Sequence, residues 1–174
     1  MSNEKMKGEK KNWWKEHADE KTHVFTMDLE SVLLCPKTAA SAMYYKQKLQ
    51  LHNFSIYELR TQDVDLYVWH ECNGGVNANE FVSCIADYIT RCVEQRGFEK
   101  VVIVSDGCNY QNRNKCLSST LSALAVKYKI EIIHLYLEKG HTMMEVDSVH
   151  STLEHYFYPP IYSPAEYVAR MRMA

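Results

Sequence analysis

Residues 100–114, KVVIVSDGCNYQNRN, decide the fold. Val101, Val102, Ile103 and Val104 form an uninterrupted β-branched run, the pattern of a strand covered on both faces. Asp106 stands at the carboxyl end of that strand and opens a polar loop. Helical patterns flank it. Upstream, Asn77 reads as a helix cap with Glu80 three residues later, and Gly97 as the stop. Phe81, Ile85, Ile89, Cys92 and Val93 supply the apolar stripe between them. Downstream, a second helix reads from about 112 to 128, with Leu117, Leu121, Leu124, Ala125 and Tyr128 inward, and a strand follows over 130–137. Strand, helix and strand in alternation imply parallel strands joined by right-handed crossovers, with Val102 and Val104 packed against helices.

Working outward, residues 22–28 (THVFTMD) read as a first strand, 51–59 as a second and 65–70 (DLYVWH) as a third, the last two close enough to form a hairpin. Pro36 falls in the loop after the first strand. A helix over about 146–157 ends before Pro159 and Pro160, and Ser163-Pro164-Ala165-Glu166 opens a short final one. The predicted order is β-β-β-α-β-α-β-α. That order makes an α/β fold with a mixed five-stranded sheet, three antiparallel strands leading into parallel β-α-β units, and helices on both faces. Residues 1–21 read as a charged mobile arm around Trp13 and Trp14, and 22–174 as one domain. The chain stops soon after the last helix begins, as a truncated copy would.

The 174 residues suffice for one domain of ordinary size, and 46% apolar content can fill its core. A net charge of -2 excludes a strongly basic nucleic-acid coat protein while leaving room for a local basic groove. No apolar run is long enough to span a membrane, and residues 1–21 lack the apolar stretch of a secretory signal. The six cysteines form no C-x-x-C pair, so they are expected to be reduced thiols rather than zinc ligands.

Ligands of such sheets bind outside the carboxyl ends of the central strands, where the acids stand. Asp28 ends the first strand, Asp106 the fourth, and Asp147 begins the helix that returns across the same edge. Alone, Asp147 reads equally as a helix cap, whereas Asp106, which follows the most buried strand and opens a polar loop, fits a plain turn residue less well. Together the three form a carboxylate cluster, which repels itself unless a hard cation such as Mg²⁺ or Mn²⁺ is present. Two such ions suit phosphodiester chemistry. Asp147, His150 and Glu154 share one helical face; Asp147 is the expected ligand, His150 a second ligand or proton carrier, and Glu154 a solvated neighbour. Glu30 points to the same sheet face as Asp28. Gln111, Asn112, Arg113, Asn114 and Lys115 cluster where the second helix is expected to begin and suit phosphate or ordinary capping alike; His141 suits phosphate, a ligand role or a plain loop bond. Lys46 and Lys48 suit a duplex groove, and Tyr44, Tyr45 and Tyr110 base stacking, with a solvated face and core packing as the commoner fates.

The segments TMDLES, YVWHECNGG, VIVSDGCNYQNRN and GHTMMEVDSVH carry a resemblance to the RNase H-like superfamily of DDE transposases, integrases and RuvC-like resolvases. They are most similar to a transposon-derived RNase H-like domain of invertebrate proteins, over residues 24–171. The resemblance implies that Asp28, Asp106 and Asp147 bind two Mg²⁺ or Mn²⁺ ions. It further implies a polynucleotidyl transferase or nuclease acting on DNA, with RNA as the other substrate, in the nucleus or cytoplasm. Homo-oligomers are left open. Two alternatives stand beside it. One is an inactive transposon-derived domain that binds protein or nucleic acid. The other is a DEDD-type exonuclease, to whose first motif the Asp28-x-Glu30 pair is similar.

Overall fold

The computed structural model describes residues 19–174 apart from Tyr44 and residues 138–143. The expected arm around Trp13 and Trp14, the loop residue His141 and Tyr44 lie outside the described residues.

Strand β5 (Lys100–Ser105) runs between two parallel neighbours, β1 (Thr22–Leu29) and β6 (Glu131–Tyr136). Val101, Val102 and Ile103 are fully buried there, as an all-apolar strand requires. Strand β3 (Leu49–Glu58) lies antiparallel on the far side of β1, with Asp28 opposite Ser55, and forms the expected hairpin with β4 (Val64–His70). The sheet has six strands rather than five because the first strand breaks. The chain leaves the ladder after Leu29 and rejoins β3 as β2 (Leu33–Cys35), with Leu33 opposite Leu51. Both β1 and β2 occupy one side of β3, and β4 occupies the other. The spatial order is thus β4, β3, β1 continued by β2, β5, β6.

Helices α1 (Ala78–Arg96) and α2 (Lys115–Tyr128) cover the face carrying Phe25, Met27, Phe54, Ile56, Val101 and Ile103. Helices α3 (Glu145–Tyr156) and α4 (Pro164–Met171) cover the other face over Leu33, Cys35 and Leu51. The fold is therefore a mixed α/β sheet, parallel and antiparallel, with helices on both faces. Successive strand residues face opposite ways. Val102 and Val104 consequently join Val24, Leu59, Ile133 and Leu135 in a cluster to which no described helix contributes, correcting the expected helix packing. The helices meet Val101 and Ile103 instead.

Local signals set most helix ends. Gly97 closes α1 in the left-handed region at φ 68°, where a missing Cβ avoids strain, and donates its N–H to Val93. Ser163 caps α4, with Pro164 in its first turn. At α1 the reciprocal box is absent. Asn77 makes no side-chain cap, and Glu80 accepts instead from the Gly75 N–H at 3.1 Å. Helix α2 begins at Lys115 rather than near 112, because Asn114 is its cap and accepts from the Leu117 N–H at 2.9 Å. Residues 106–113 thereby remain a loop over the ends of β1 and β5. All six cysteines are free thiols, and no described helix is long and apolar enough to cross a membrane.

Candidate metal centre

The register of β1 and β5 pairs Thr26 with Val104. Two residues further along each strand, Asp28 and Asp106 emerge level with one another on the face that α3 crosses. Helix α3 brings Asp147 and His150 to the same place. Ligand atoms of Asp28, Asp147 and His150 lie within 4.8 Å of one another, the one group of this kind among the described residues. Asp147 also serves as a helix cap, since its Oδ2 accepts from the Met144 N–H at 2.8 Å. His150 Nε2 lies 3.0 Å from Ser55 Oγ. Ser55 is fully buried opposite Asp28, and so braces the ring from the sheet.

Asp106 stands beside this group without belonging to it. Its Oδ1 accepts from the Cys108 N–H at 3.1 Å and from Asn112 Nδ2 at 2.6 Å. Asp28 Oδ1 accepts a longer bond from Gln111 Nε2, at 3.4 Å. Gln111 and Asn112 are both buried and turned toward the acids. Their neighbours face elsewhere. Arg113 sits over the Tyr136 ring at 5.6 Å, Asn114 caps α2 and Lys115 is exposed. Arg113, Asn114 and Lys115 line an open depression of about 450 Å³ with Ser118 and Ser119.

Burial pushes the Asp28 carboxyl up to about 6, helped by the charges of Asp106 and Asp147 and opposed by the Leu29 N–H and Gln111. Burial also lowers the His150 pKa, against the pull of Asp147 and Glu154. Crowded carboxylates beside an imidazole held neutral are a donor set suited to a divalent cation, which supplies the charge that the protein lacks there.

Glu30 and Glu154 are not part of the three-residue group. Glu30 is 3% exposed, and its Oε2 accepts from Asn53 Nδ2 at 2.9 Å. Burial, with the Glu154 charge adding, pushes its carboxyl up to about 7. Glu154 lines a groove of about 520 Å³ with Lys37 and Lys48. Tyr45 and Lys46 are exposed, and Tyr110 is half-exposed.

The sequence reading missed Ser55 and Asn53, and it did not assign Asn112 to Asp106. A signal for the first two exists. Small polar residues alternating on one face of a middle strand, in LQLHNFSIYE, imply a polar structure above that face.

No family model matches the chain, and no curated protein matches it. Among solved structures, the chain is similar to the Mos1 transposase in a paired-end complex with the left transposon end. The TM-score is 0.45 at 12% identity, over 99% of this chain and 59% of the other. A Mos1 mariner paired-end complex with Mn gives a TM-score of 0.44 at 11% identity, over 99% and 60%. The chain thus spans less than two thirds of the length of these transposase chains.

Proposed function

We propose that the protein is a metal-dependent polynucleotidyl transferase or nuclease, transposase-like in its chemistry and acting on DNA. The observation that carries this reading is the gathering of Asp28, Asp147 and His150 within 4.8 Å at the carboxyl end of the central parallel strands, with Asp106 alongside. Asp28 and Asp147 bind Mg²⁺ or Mn²⁺ through carboxylate oxygens, and Asp106 completes the acidic site. A cation held by these residues would supply the positive charge that phosphodiester chemistry with water or a 3′ hydroxyl needs. His150, braced on Ser55, acts as a further ligand or carries a proton from the attacking group. No Ser or Cys nucleophile is required.

A second reading, the inactive domain retained for binding, draws on the Asp106 bonds. An acid whose oxygen is already satisfied by Asn112 and Cys108 can persist without a metal. Calorimetric titration with Mn²⁺, followed by cleavage assays on labelled duplex and single strands, separates the two. The enzyme should bind Mn²⁺, and Asp28→Asn should abolish both binding and cleavage. A wild-type protein that takes up no Mn²⁺ at millimolar concentration and cleaves nothing would favour the binding module. The DEDD exonuclease reading has less support, because Glu30 is turned to Asn53 rather than into the group.

A further inference from the structure

Asp106 is the acid that the three-residue group omits, and the loop behind it accounts for its orientation. Both donors that reach Asp106, the Cys108 N–H and Asn112 Nδ2, go to Oδ1; among the described residues none reaches Oδ2. Asn112 is itself fixed. It is fully buried, its N–H donates to the Cys108 carbonyl at 2.7 Å, and its own carbonyl accepts from the Tyr136 hydroxyl at 3.1 Å. The loop end is tied down by the Asn114 cap on α2. Yet the Asn112 side chain is only half used, for its Oδ1 is buried without a partner. Leaving a buried amide oxygen unpaired costs about 1–3 kcal/mol. A residue present only to close the loop could do so through its backbone, with an apolar side chain in that space. The side chain's one described bond is the 2.6 Å contact to Asp106.

We infer that Asn112 is a positioning residue of the acidic site, acting through Asp106 alone. With the Cys108 N–H it occupies Oδ1, which leaves Oδ2 as the oxygen that a cation meets. Gln111 does not do the same for Asp28, because its 3.4 Å bond is too long to fix a carboxylate. The inference rests on the metal-dependent reading above. It predicts that the amide of Asn112 sets metal affinity without touching the metal.

The test is calorimetric Mn²⁺ titration of the full chain, with thermal melts to verify folding. Asn112→Leu keeps the branching and heavy-atom count of the side chain and removes the donor. It should weaken Mn²⁺ binding by about ten- to a hundredfold, the range typical of residues that orient metal ligands. Gln111→Leu should change affinity by less than about threefold, within the range of a weak bond. In an Asp106→Asn background, Asn112→Leu should cause no further loss, because the two residues form one unit. Wild-type affinity in Asn112→Leu overturns the inference. An equal loss in the Asp106→Asn background also overturns it, since Asn112 would then act elsewhere. If Asn112→Leu does not fold, Asn112→Ser replaces it with the same expectations. A wild-type protein showing neither Mn²⁺ heat nor a Mn²⁺-dependent melting shift overturns the functional reading itself, and does so before any variant is made.

Discussion

The two ends of the sheet treat buried carboxylates in opposite ways. Where β1 begins, Glu58 is buried and takes both terminal guanidinium nitrogens of Arg96, at 2.5 and 2.9 Å. Burial works against its charge, but Arg96 and His23 together outweigh burial, and the carboxyl is held below its ordinary range. Where β1 ends, Asp28 and Glu30 have amide partners and no described cation in bonding distance, and they are pushed up to about 6 and about 7. The residue type is nearly the same, and the countercharge differs. One end carries its own countercharge, whereas the other has none in bonding distance among the described residues.

The largest effect that would sharpen this contrast is on chemistry. Asp28→Asn and Asp147→Asn should each lower Mn²⁺-dependent cleavage of labelled DNA by on the order of a hundredfold or more, with a smaller effect on substrate binding. Glu154→Gln should stay within about threefold, as expected of a residue outside the reacting group. A severe loss with Glu154→Gln and little with Asp147→Asn would transfer the third acidic role to Glu154.

Stability should divide the two ends next. Arg96→Leu strands the Glu58 carboxylate in the core and should cost about 2–3 kcal/mol in denaturant unfolding, below the full cost of breaking a buried pair because Arg96 is partly exposed. Glu30→Gln removes a carboxyl that has no cation to lose, and should leave stability at pH 8 unchanged or higher. If the two variants fell by equal amounts, the contrast between the ends would fail.

A smaller effect concerns pH. The folded Asp28 keeps its proton up to about 6, whereas the unfolded one releases it near 3.8. Its contribution is complete below 3.8 and is lost as pH rises through about 6, so this carboxyl alone should take about 1–3 kcal/mol from the metal-free protein over that window. Melts of Asp28→Asn should lack that decline. The other end slopes the opposite way. Burial holds His23 at about 4 against 6.5, so its contribution is complete above 6.5 and is lost as pH falls toward 4. The two windows overlap, so His23→Gln should steepen the fall in stability between about pH 4 and 6 that Asp28→Asn removes.

Much of the fold was legible because its signals are local. The run at 101–104 identifies a strand buried on both faces without reference to anything else. Gly97 and Ser163-Pro164 mark helix ends through backbone conformation and capping, which neighbouring residues decide. Once β1 and β5 are read as parallel neighbours, Asp28 and Asp106 follow as a pair at strand ends.

Other features depended on contacts distant in the chain. The break after Leu29 carries no sequence mark, since β2 is defined by its pairing with β3. The direction of the 106–113 loop decides that Gln111 and Asn112 turn inward while Arg113 and Lys115 do not. That direction is set by Tyr136 on β6 and by Asn114 at α2. Ser55 reaches His150 only because α3 crosses β3. The sequence by itself determined which residues sit at strand ends, because strand period and helix caps are short-range. Only the tertiary structure decided that Asp106 stands outside the group of Asp28, Asp147 and His150 and is held by Asn112, because hydrogen-bond partners within 3 Å are set by the packing of separate elements.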